Sequence, residues 1–113
     1  MSPEQQELLR RLALSDERIA GAALDPSGGA SGTSSLDPPM LALAQVAALI
    51  ATEAPLASYQ WAVESALAAG ASDTDIVDVL VAVAPVVGLA RVAAAAPELA
   101  LALGYDVESP SGE

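Results

Sequence analysis

The sequence predicts an all-helical fold, and three observations carry that reading. Ala, Leu and Val dominate, phenylalanine is absent, and the aromatic set is only Tyr59, Trp61 and Tyr105, a composition suited to close-packed helices rather than sheets. Apolar residues recur at helical spacing, and the segments between them carry residues that start and stop helices. At 113 residues the chain fits one compact domain with a modest core of its own.

The elements follow in order. Ser2, Pro3 and Glu4 read as an N-cap, a first-position proline and an acid that complements the helix dipole. Leu8, Leu9, Leu12 and Ile19 supply one apolar face, and Ser15 and Asp16 offer a break, so one or two short helices are expected to about Leu24. The stretch Asp25–Pro39, "DPSGGASGTSSLDPP", has almost nothing to bury and reads as a flexible loop. "MLALAQVAALIA", 40–51, is charge-free and apolar nearly all round, which indicates a helix buried on several sides.

Thr52 then reads as an N-cap, with Glu53 and Pro55 in the first turn of a helix that Gly70 closes. Within it Leu56, Tyr59, Val63 and Leu67 share one face, and Ala57, Trp61, Glu64 and Ala68 another. Ser72 caps the next helix, whose first turn carries Asp73 and Asp75, and Ile76, Val79, Leu80 and Val83 form its buried face. Pro85 and Gly88 bend or end it. A final alanine-rich helix follows, kinked or restarted by Pro97 and terminated by Gly104. The divisions expected are an N-terminal helical segment with its Gly/Ser loop over 1–35, a helical domain of 36–104 and a frayed tail of 105–113. About five to six helices result.

Composition excludes whole classes of function. Fifteen acids face four bases, a formal net charge of -11 without a single lysine, so a phosphate backbone and an anionic membrane surface are poor partners. There is no cysteine and no histidine, which removes thiolate chemistry, cysteine-based metal sites and the commonest general base. No metal site and no cofactor is expected. The N-terminal stretch carries acids where a secretory signal has positive charge, and the most apolar span is interrupted by Pro85, Arg91 and Pro97. A soluble cytoplasmic protein is expected. The apolar surface of 40–51 and 79–96 exceeds what a chain of this size hides alone, which predicts a homo-oligomer.

The stretch "AVESALAAGASDTDIVDVLVAVAPVVGLA" resembles the core of the carboxymuconolactone decarboxylase family, which includes the alkyl-hydroperoxidase-D-like proteins. A helix ending in "ALAAGAS", an acidic helix start "DTDIVDVL" and a bend at Gly88 carry the likeness, over about residues 36 to 104. It implies a compact orthogonal helical bundle assembling into dimers, trimers or hexamers. In the family's peroxidase branch a glutamate precedes a Cys-x-x-Cys pair, and a histidine four residues on lies eight before the helix-ending glycine. Counted back from Gly70, those positions hold Leu43, Pro55, Ser58 and Ala62. Serine and proline cannot cycle through a sulfenic acid and a disulfide, so a thiol peroxidase is excluded. The decarboxylase branch would also be expected to use a histidine at the Ala62 position.

The remaining polar residues are each open to two readings. Glu53 is the candidate general base or ligand anchor, against a dipole-complementing acid of a first turn. Ser58 has no adjacent base to activate it and reads first as a small filler. Tyr59 and Trp61 are candidates to line a small pocket with an O–H and an N–H, against core or interface packing. Arg91 is the candidate anion anchor, against an ion pair with Glu64. Asp73, Asp75 and Asp78 lack the glycine turn and twelfth-position glutamate of a calcium loop and read as a capped, solvated helix start. Two functions remain: a catalytically degenerate oligomeric protein of binding or assembly, and, as the alternative, a cofactor-independent, non-redox decarboxylase or lactone-processing lyase acting on a small organic acid.

Overall fold

The computed structural model describes residues 1–15, 17, 35–105 and 107. By contacts the chain divides into Met1–Ser35 and Leu36–Glu113. All regular structure among the described residues is helical: α1 Pro3–Ala13, α2 Pro38–Ala51, α3 Leu56–Ala68, α4 Asp73–Val87 and α5 Leu89–Ala102. No strand occurs among them.

In the first unit, Ser2 caps α1 by accepting from the Gln5 N–H, with Pro3 next. Glu7 accepts hydrogen bonds from Arg10 and from Arg11. Those bonds, Arg10's foremost, hold its carboxyl at about 2, far below the usual range. No α1 residue is buried, and Leu9 and Leu12 are exposed. The helix stops at Leu14, with Ser15 left-handed. Ile19, the expected second helix to Leu24 and most of the expected loop lie outside the described residues.

In the second unit four helices form a ring in which α2 packs on α3 and α4, and α5 closes the ring against the same two. α2 presents Ala42, Val46 and Ile50, α3 presents Tyr59, Ala62, Val63 and Ala66, α4 presents Ile76, and α5 presents Ala95 and Leu99. Alanines at so many of these contacts let the helix backbones approach closely, and Tyr59 is the largest fully buried side chain. No polar or charged residue other than Tyr59 joins this core among the described residues.

Helix ends depart from expectation in an instructive way. α2 starts two residues before the expected Met40, because Pro38 and Pro39 fill first-turn positions that need no N–H. Thr52 is the C-cap of α2, not the N-cap of α3: its hydroxyl donates to the Ala48 carbonyl at 3.0 Å. The cause is Pro55, which restricts the residue before it to extended backbone, so α3 begins only at Leu56.

The Glu53 N–H donates to Ile50 O and the Ala54 N–H to Leu49 O, the paired bonds of a Schellman ending. Gly70 and Gly104 hold the equivalent left-handed position after α3 and α5, with the same two bonds. After α2 that position is Glu53, with φ 55°. Of the kink or restart expected at Pro97 the restart does not occur, since α5 runs through it; α4 continues past Pro85 and ends at Gly88, one of the expected alternatives. Both prolines are exposed, where the carbonyls they leave unpaired reach water. Of the expected tail, only Tyr105 and Val107 are described.

Candidate functional site

Three of the five sequence candidates meet. Glu53 in the α2–α3 turn, Tyr59 on α3 and Arg91 on α5 line one cavity of about 270 Å³, together with Ala54, Ala94, Ala95 and Glu98. The turn geometry explains why Glu53 is there, since a left-handed residue at the end of α2 reverses the chain beside α5. Arg91 Nε lies 3.8 Å from Glu53 Oε1, with both side chains half-exposed or more. That is an ion pair beyond hydrogen-bond distance and well solvated, a weak restraint. The expected pair of Arg91 with Glu64 is therefore replaced: Glu64 sits on the exposed face of α3, and the partner is Glu53.

Tyr59 is spent on structure. Its ring is fully buried and its hydroxyl donates to Leu49 O at 3.2 Å, tying α3 to the end of α2. Burial raises the phenol's pKa, and the carboxylates of Glu98 and Glu53 push it further in the same direction. A phenol held protonated and already donating to a carbonyl is a poor general base.

Trp61 and Ser58 stand apart from this cavity. Trp61 is 51% exposed on the outer face of α3, so its indole lines neither this cavity nor the larger one between α4 and α5. Ser58 is half-buried in the first turn of α3 and lines neither. Glu98 is the residue that sequence reasoning missed. It follows Arg91 by two helical turns, with Ala94 and Ala95 between, so the i, i+7 relation was there to be read. The cavity thus holds two carboxylates and one guanidinium.

The four positions that the resemblance marks for catalysis are packed away or chemically inert. Ala62 is buried in the core, Leu43 packs against it, and Pro55 is the N-cap residue of α3. Neither cavity is lined by Leu43, Pro55, Ser58 or Ala62. Among the described residues no three acids gather as a metal-holding group, and no helix is long and apolar enough to cross a membrane. No family model, no curated protein and no solved structure matches the chain.

Proposed function

We propose that this protein is an oligomeric binding or assembly protein of the carboxymuconolactone decarboxylase type, without that family's chemistry. The observation that carries this reading is an uncharged apolar surface running along α4 into α5. Val81 and Pro85 follow at i, i+4 spacing along one side of α4, and Val86 and Leu89 continue the surface at the turn. Val81 is 71%, Val86 85% and Leu89 76% exposed. Between Asp78 and Arg91 there is no charged residue. Copies of a chain carrying -11 repel one another except where charge is missing, so this surface suits a second copy of the same chain.

The inert residues at the family's catalytic positions support the same reading. Chemistry on a small organic acid is the alternative, and the meeting of Glu53, Tyr59 and Arg91 at one cavity is what favours it. Charge weighs against it: Glu53 already faces Arg91, and Glu98 adds a second carboxylate that repels an anionic substrate. The test is native mass spectrometry of the full chain beside turnover assays with a peroxide plus thiol reductant and with small lactone acids. A defined oligomer without turnover is expected. Turnover of a lactone acid that Arg91→Ala abolishes, with helicity unchanged, would establish the alternative instead.

A further inference from the structure

A larger cavity, of about 500 Å³, lies between the first half of α4 and the second half of α5. Its wall is aliphatic, with Leu99 at less than 2% exposure and Leu80 and Leu103 packed on the core beside it. The charged residues that line it are Asp73 and Asp78, and its aromatic residue is Tyr105. Tyr105 is held there by its backbone N–H, which donates to Ala100 O at 2.8 Å as α5 ends.

Asp73 accepts a hydrogen bond from the Thr74 N–H. Asp78 has no hydrogen-bond or ion-pair partner among the described residues. The helical unit has no base to give it: Arg91 is the one Lys or Arg in 36–113, and it lines the other cavity, beside Glu53. Asp73, Asp78 and Tyr105 are exposed and stand at the rim of the cleft above its aliphatic wall, where charge of one sign attracts a cation that enters. An aliphatic wall, unneutralised carboxylates and an aromatic ring together are the chemistry that recognises an apolar body bearing a positive charge.

We infer that the α4–α5 cavity binds a small organic cation with a hydrophobic body, an alkyl- or arylammonium, independently of self-association. The apolar body sits against Leu80, Leu99 and Leu103, and the ammonium faces Asp78, Asp73 and the Tyr105 ring. An anion of the same shape is repelled, and a neutral one gains only the apolar contact.

The test uses three probes that share one body: 4-phenylbutylamine, 4-phenylbutanol and 4-phenylbutyrate, titrated into the isotopically labelled full chain and followed by amide chemical shifts. The amine should bind with a Kd of roughly 1 mM or tighter, the alcohol about tenfold more weakly and the butyrate not at all. The shifts should fall on Asp73–Leu80 and Ala96–Tyr105. Asp78→Asn and Tyr105→Leu should each weaken the amine severalfold, whereas Asp37→Asn, the same charge change on another exposed acid, should leave it unchanged. Equal binding of amine and alcohol would overturn the inference. So would equal weakening by Asp37→Asn and Asp78→Asn, shifts confined to other helices, or no saturation by about 10 mM amine.

Discussion

Glu53 is where local chemistry and chain geometry disagree most openly. A left-handed backbone costs a residue with a Cβ on the order of 1 kcal/mol, and the other two Schellman endings of this unit avoid that cost with Gly70 and Gly104. Glu53→Gly is therefore expected to stabilise the fold by about 1 kcal/mol, read as a rise in the urea midpoint. Glu53→Gln keeps the strain and removes only a solvated ion pair, so its change should stay within about 0.5 kcal/mol. Equal effects of the two substitutions would show that the ion pair, not the backbone, sets the energetics of this turn. The sequence misleads here because glutamate carries no turn signal, while Thr52 and Pro55 together imitate a helix start.

Tyr59 supports a second residue-scale expectation. Leu49 O, which accepts the Tyr59 hydroxyl, also accepts the Ala54 N–H at 3.1 Å. Tyr59→Phe leaves that carbonyl satisfied and should cost no more than about 1 kcal/mol. Emptying the site with Tyr59→Ala should cost about 3–5 kcal/mol. The phenol's pKa is raised above its ordinary 10.0 by burial and then by Glu98 and Glu53. The folded state thus holds this proton more tightly than the unfolded chain, and the stabilisation is full below pH 10 and lost as pH climbs through the folded value. Denaturation midpoints should fall above pH 10 in the native chain and fall less in Tyr59→Phe. Superimposable pH profiles would rule out Tyr59 as the source.

At the scale of elements, caps were legible wherever a side chain itself makes the cap. Ser2 and Ser72 are read directly from their sequence contexts, and Ser72 forms the full reciprocal box with Asp75. Caps made by backbone alone were legible where a glycine makes them, as at Gly70 and Gly104, and not at Pro55 or at Glu53. One comparison separates the two kinds. Ser72→Ala should cost about 1 kcal/mol, because it removes an N-cap acceptor. Thr52→Ala should cost only a few tenths, because its hydroxyl donates back into a helix that is already ending. A cost at Thr52 equal to that at Ser72 would restore it as an N-cap.

The apolar faces were legible in outline. Ile76 is buried as its spacing requires, yet of the α3 face shared by Leu56, Tyr59, Val63 and Leu67 only Tyr59 and Val63 are fully buried, Leu67 is exposed, and Ala62 and Ala66 join the core. Alanine fits either a buried or an exposed face of a helix, so periodicity alone could not choose between them. The candidate site was legible residue by residue but not as a set. Glu53, Tyr59 and Arg91 come from three separate segments, and only the ring of four helices brings them to one cavity, while Trp61 and Ser58 turn elsewhere.

The described residues combine a small alanine-rich core, many exposed acids and a charge-free face on α4 and α5. Burying that face against a second copy would offset both the thin core and the mutual repulsion of the acids. Two acidic substitutions placed in it at the α4–α5 turn should break the assembly without reaching the core, since Val86 and Leu89 are both exposed. The decisive measurement is native mass spectrometry of the full chain and of the double variant Val86→Asp/Leu89→Asp, with circular dichroism as the check on folding. A defined oligomer that becomes a folded monomer in the variant is the expected result. A native chain that is monomeric at the same concentration, or a variant that keeps its subunit number, would contradict self-association through this face.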